Sequence, residues 1–279
     1  MSKELDLEKF YHLFPWREDP DTPSGYKRYQ EVVEDMKFLV NHPWIQKILQ
    51  MKKEIEIIDL CSGVGFGGAA LSKLLKERGY SVNLTLLDLR LNALEKGKRF
   101  IIKELGFEPE VIVADLTKKL NISKKYDIAL IWGLSTPHFN PWEWIKVLIN
   151  VRRLLSNDGV LAYEEADRVE HIFIRMGYQR IMPQIAEENR LVLSIHSERN
   201  YKTGDVYKLV IDLLKGDRVR IKFYYWDIAS SATFAWIFFD DVDFISTKYP
   251  YQGIVIANKP RDSINLEELF TKTPTLMSA

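Results

Sequence analysis

Asp59, Asp88 and Asp115 each end or follow a short, almost wholly apolar run. Behind the first of them, Gly63, Gly65 and Gly68 keep the G-x-G-x-x-G spacing within IIDLCSGVGFGGAALSKLL. Glycine lets a backbone turn closely against a ligand, and the unpaired N–H groups at the start of the next helix favour an anionic group. Asp88 lies 25 residues after Gly63, at the end of the second apolar run, where a carboxylate can accept from both hydroxyls of a ribose. Asp115, in VIVADL, is placed to reach an adenine edge. Nicotinamide and adenosyl cofactors both carry a ribose diol, so these residues leave two nucleotide classes open. A carboxylate and further residues stand between the first run and the glycines, which is unfavourable beside the two phosphates of a dinucleotide.

A second group of side chains surrounds this one. His138, in LSTPHFNPW, sits on the loop leaving the fourth apolar run and is a candidate for touching substrate or acting as a base. Glu164 and Glu165 close the fifth run, with one of them a candidate to face the substrate. Tyr11 and Tyr26 have polar ends for a ligand and are candidate lid residues, whereas Trp16 reads as packing. His196, Arg199 and the basic face of Arg218, Arg220 and Lys222 suit an acidic substrate, although a solvated sheet face explains the last three better. Cys61, the single cysteine, reads as packing; alone it excludes an internal disulfide, and no pair of the five histidines has zinc-site spacing. No metal is expected.

The elements that position these residues follow from periodicity. Strands are expected over 55–60, 82–88, 111–114, 126–132 and 160–164. Helices are expected over 66–78, 90–105 and from Asn140, Pro141 and Glu143 to Leu155. Strands that are apolar throughout and alternate with helices indicate a parallel sheet covered on both faces. Before them lies an N-terminal helical cap over 1–50, with Ser24 capping a helix from Tyr26 to Val40 and a second helix starting at Pro43. After them the pattern changes to a short helix over 168–176 and strands over 191–198, 206–214 and 218–226, the last two joined by a turn at 215–217. A helix over 229–239 and strands over 242–247 and 253–258 return to the main sheet. The domain plan is thus a core of 51–165 and 227–260, an antiparallel insert of 166–226 over the site, and a tail from 261 with at most one short helix.

The chain has 279 residues with 39 basic and 39 acidic side chains, so no global field draws it to nucleic acid or anionic lipid. The start, MSKELDLEKF, has no apolar targeting region and no stretch reaches the length of a membrane span, which makes the cytoplasm the expected location.

In the order and spacing of these motifs the chain resembles the class I S-adenosylmethionine-dependent methyltransferases over roughly residues 50 to 260. IIDLCSGVG is similar to the first motif, with Cys61 where glycine is commonest. LTLLDLR is similar to the acidic second, VIVADL to the third, YDIALIWG to the fourth strand and LLSNDGVLAYEE to the approach to strand 5. The resemblance implies a doubly wound seven-stranded sheet, mostly parallel with an antiparallel last strand, and S-adenosyl-L-methionine as cofactor. It implies that Asp59, Gly63 and Gly65 lie by the methionine part, Asp88 and Leu89 by the ribose, Asp115 and Leu116 by the adenine, and Trp132 and Gly133 by the reacting methyl. Asn140-Pro141-Trp142 loosely resembles the Asn-Pro-Pro-aromatic motif of methyltransferases acting on bases, but it lies eight residues past Trp132 and is better explained as a helix cap. The expected reaction is transfer to nitrogen or oxygen of a small molecule. An RNA or protein methyltransferase, a non-catalytic cofactor-binding protein and a nicotinamide-dependent oxidoreductase are the alternatives.

Overall fold

The computed structural model describes residues 3–14, 16–262 and 265–277. In chain order the elements are α1 (Lys3–Leu13), α2 (Pro23–Asn41), α3 (Pro43–Met51), β1 (Glu54–Leu60), α4 (Phe66–Glu77), β2 (Ser81–Asp88), α5 (Leu91–Leu105), β3 (Glu110–Val113), β4 (Tyr126–Ile131), α6 (Pro141–Leu154) and β5 (Leu155–Ala166). There follow β6 (Ile181–Glu187), β7 (Arg190–Arg199), β8 (Val206–Asp212), β9 (Arg218–Phe223), α7 (Ile228–Phe238), β10 (Phe239–Tyr249), β11 (Gln252–Pro260) and α8 (Leu266–Thr271).

Seven strands form one sheet in the order β10-β11-β5-β4-β1-β2-β3. Only β11 runs antiparallel to its neighbours, pairing with β5 on one side and β10 on the other. The order reverses between β1 and β4, which places the C-terminal ends of β1, β2 and β4 beside the crevice where open α/β sheets hold ligands. Separate apolar clusters cover the two faces. One joins α2, α3, α4 and α5 to the sheet, and the other joins α6 and α7 to it.

The expected insert forms a separate antiparallel sheet in the order β6-β7-β8-β9. It has one strand more than expected, β6, and the short helix before it is π-wound over Val169–Arg175. Its inward face packs against α1, where Phe10 and Leu13 meet Ile185, Val192, Val210, Val219 and Ile221. Within the first fifty residues, α1 therefore packs on the small sheet while α2 and α3 pack on the large one. The cap of α2 also differs from expectation. Thr22, not Ser24, accepts from the Gly25 N–H, and Pro23 takes the first helical position, so the helix starts earlier than Tyr26. Asn140 and Glu143 do form the reciprocal capping box of α6. Among the described residues no helix is long and apolar enough to cross a membrane.

Candidate active site

β1 delivers Asp59 into full burial, where its Oδ2 accepts from the Gly68 N–H at 2.7 Å and its Oδ1 has no partner among the described residues. Burial pushes this carboxyl up to about 7, against the pull of the Gly68 bond. The chain then turns through Cys61 at φ 54°, a left-handed conformation that costs a side-chain-bearing residue strain. Gly63 follows at φ 55°, and its N–H donates to Asp88 Oδ2 at 2.7 Å. A Cβ on Gly67 would stand 2.6 Å from the Trp132 Cβ, so only glycine lets the first turn of α4 rest on the chain leaving β4. Gly65 caps α4 with the Leu86 side chain beside it, so a Cβ there would press on the core; unlike Gly63 and Gly67, it does not border the two cleft cavities.

The other Asp88 oxygen accepts from the Arg90 N–H at 2.9 Å. The buried Arg90 guanidinium forks onto Glu18 with two 3.0 Å bonds and lies 4.0 Å above the Tyr11 ring. Asp115 accepts from the Thr117 N–H and hydroxyl and from Lys3 Nζ at 3.2 Å. Although burial works against its charge, the Thr117 bonds and Lys3 hold this carboxyl below the usual range. Asp88, Leu89, Asp115 and Leu116 border a cavity of about 60 Å³. Gly63, Gly67, Trp132, Gly133 and Arg28 border another of about 40 Å³. Both are also bounded by Tyr11, Cys61, Arg90 and Ser135.

A larger cavity of about 350 Å³ opens beyond Gly133, between α1, the loop after β4 and the inward face of the small sheet. His138 borders it and the Asp88 cavity alike, with Nε2 3.2 Å from the Tyr11 hydroxyl. Burial, then Arg90, Lys3, Arg168 and Lys222, push the imidazole down to about 3, so it is neutral at physiological pH. Glu164 accepts from the Gly133 N–H at 3.1 Å and from Gln252 at 3.0 Å, and faces a further cavity of about 560 Å³ beside Arg28. Its neighbour Glu165 is wholly buried, with Oε1 accepting from Thr136, Arg168 and the Ala166 N–H and Oε2 without a hydrogen-bond partner among the described residues.

Gly63, Asp88, Leu89, Asp115, Leu116, Trp132, Gly133, Tyr11 and His138 are thus gathered around one cleft, with Asp59 buried beneath its glycine turn and Glu164 fixed to the Gly133 peptide at its side. Tyr26 is not: it sits exposed on the outer side of α2, 3.5 Å from Glu104, because that helix begins three residues before it. Trp16, expected as packing, instead borders the cleft with the Arg28 guanidinium 4.2 Å above its ring. His196 is held by the Tyr178 hydroxyl and the Glu198 carbonyl, and Arg199 is exposed at the end of β7; neither borders the cavities around the cleft. Glu18, Arg28, Arg90 and Lys3 escaped the sequence reading. Arg90 directly follows the strand-end Asp88 in DLR, a signal available in hindsight. The other three are brought in by segments distant along the chain and carry no local signature.

No curated protein matches the chain. Among solved structures it is similar to the PH0226 protein from Pyrococcus horikoshii OT3, with 21% identity, TM-score 0.62, and 91% of this chain and 99% of that one covered. It is also similar to an S-adenosylmethionine-dependent methyltransferase from Clostridium acetobutylicum ATCC 824, with 13% identity, TM-score 0.59 and coverage of 91% and 99%. A third similarity is to the CcbJ methyltransferase from Streptomyces caelestis, with 11% identity, TM-score 0.58 and coverage of 77% and 87%. At these identities the likenesses establish the fold. The family model described as a methyltransferase domain matches residues 57–159. That segment holds the glycine turn, the strand-end carboxylates Asp59 and Asp88, Asp115 and the loop after β4, so the similarity to a methyltransferase domain falls on the residues from which the cleft is built.

Proposed function

We propose that the protein transfers the methyl group of S-adenosylmethionine to a nitrogen or oxygen atom of a small molecule seated in the 350 Å³ cavity. The observation that carries this reading is the junction at Tyr11, Trp16 and Gly133, which border both that cavity and the glycine-turn cleft. A cavity of this size, mostly apolar with a few polar groups, suits a small ligand better than a polymer.

The donor set around the cleft fits the adenosyl cofactor chemically. Asp88 has lone pairs left for a ribose diol, and Asp59 has a buried oxygen without a partner beneath the turn. Asp115 and the Leu116 backbone stand by the adenine position, and Arg28, above Trp16, is the cation for the methionine carboxylate. When bound, the cofactor supplies an electrophilic sulfonium methyl. The chain's own task is to hold the acceptor in line beyond Gly133 and to exclude water, which α1 and the small sheet do from above. Glu164 fixes the Gly133 peptide from the side and is a positioning residue. His138 is held neutral by burial, with nearby cations adding to it, so it serves as a neutral hydrogen-bonding partner to Tyr11 and acceptor, not as a strong base. An acceptor that arrives as a neutral amine or an ionised oxygen needs no such base.

Calorimetric titration with S-adenosylmethionine, S-adenosylhomocysteine and NAD tests the cofactor assignment. Micromolar-class binding of the first two and none of NAD is expected. Asp88→Ala should weaken S-adenosylhomocysteine at least tenfold, about 1.4 kcal/mol. Unchanged affinity in a folded variant would remove Asp88 from the ribose site.

A further inference from the structure

We propose that the methyl acceptor carries a carboxylate, held by Lys208 on the small-sheet wall of the 350 Å³ cavity, while its apolar body lies against Phe10, Phe14 and Phe223. The inference rests on the methyl-transfer reading and names the substrate class of that site.

Lys208 occupies an inward position of β8. It shares that face with Val206 and Val210, both buried, so the strand's own pattern assigns an apolar side chain there. Among the described residues no carboxylate and no hydrogen-bond acceptor meets its ammonium group. Its surroundings are the Phe223 and Tyr225 rings, 5.6 and 5.4 Å away. Ring faces offset only part of what a half-buried cation loses on leaving water, and they leave its donors unused. Burial alone pulls its pKa below that of an ordinary lysine. Lys222 shows the contrast: from the next strand it reaches both oxygens of Glu143 at 2.6 Å.

The cavity wall agrees with an anionic guest. It includes Arg168 as well as Lys208 and no aspartate or glutamate. Arg168 is already engaged by Glu165 and the Ala166 carbonyl, which leaves Lys208 as the wall's free cation among the described residues. On the neighbouring strand Ser194 is buried, and its Oγ accepts from Gln184 Nε2 at 2.9 Å, so its own proton remains to donate. A cation and a hydroxyl on adjacent strands, set in an aromatic wall, form a receptor for a carboxylate on an apolar body.

The test uses a matched pair differing only in the charged group, 3-phenylpropionate and 3-phenylpropanol, titrated into the full chain with and without S-adenosylhomocysteine. The acid is expected to bind at least tenfold more tightly than the alcohol. Lys208→Met should level the two by weakening the acid alone, with S-adenosylhomocysteine affinity unchanged, and Lys208→Arg should restore the preference. Equal binding of acid and alcohol, binding of neither, or a preference that survives Lys208→Met would overturn the proposal. Failure of S-adenosylhomocysteine to bind would instead overturn the methyl-transfer reading, because the pair is also measured without it.

Discussion

Asp59 combines two demands on one side chain. Its Oδ2 fastens the start of α4 to the end of β1, while Oδ1 stays buried without a partner. Because burial lifts the folded carboxyl from 3.8 to about 7, the folded state holds a proton that the unfolded chain has released across that interval. Stability therefore falls as pH rises from about 4 to about 7, and is level above it. Asp59→Asn keeps an acceptor for the Gly68 N–H and removes the charge. Denaturant unfolding at pH 5 and pH 8 should show the variant gaining on the parent protein at the higher pH by on the order of 2–4 kcal/mol. A gap that does not change with pH would mean that the carboxyl is not protonated in the fold. At this scale the sequence exposes the strand-end acids, since each follows an apolar run. It does not expose the basic residues that answer them: Glu18 and Arg90 meet across 72 positions, and nothing local in either segment encodes the pairing.

The central strands were legible as elements because a strand covered on both faces has no polar alternation and reads as a nearly continuous apolar run, as in Tyr126–Ile131, buried throughout and broken only by Asp127. β6 was not legible. It is an edge strand, mixed in burial and interrupted by Pro183 with a bulge beside it, so neither alternation nor an apolar run survives. α1 was hidden by its aromatics, although Leu7, Phe10, Tyr11 and Phe14 fall at helical spacing and pack together against the small sheet. The cap of α6 was legible from Asn140, Pro141 and Glu143, and the structure gives that asparagine a second duty. Its amide donates to both oxygens of the buried Asp205 at 3.2 and 3.1 Å, tying the core helix to the loop before β8. Asn140→Ala removes the cap and deprives Asp205 of a donor. A loss of about 1–3 kcal/mol in chemical denaturation is expected, larger than for a cap alone.

Across the whole molecule, α1 and the segment to Glu18 strap the small sheet to the large one. Lys3 reaches Asp115, Tyr11 reaches His138 and Glu18 holds Arg90, one tie at each station along the cleft. Between them the cleft is left as two spaces of about 60 and 40 Å³ separated at Tyr11 and Arg90, too little for a nucleoside with an amino-acid tail. In the proposed reading, entry of the cofactor would require this strap to move, and the Glu18–Arg90 tie would oppose that motion. Glu18→Gln weakens the tie without removing the side chain. Rapid mixing should then show S-adenosylhomocysteine associating severalfold faster than with the parent protein. An unchanged association rate would place the barrier elsewhere.

The stacking of Arg28 on Trp16 has a practical consequence. Of the seven tryptophans, Trp16 and Trp132 face the cleft, and the first lies with a guanidinium 4.2 Å above its ring. A nearby cation perturbs the excited indole, so any ligand that draws Arg28 toward its own negative charge alters the emission of Trp16. The protein thus carries an intrinsic fluorophore at the mouth of its own site, and ligand titrations there can be followed in real time without a dye.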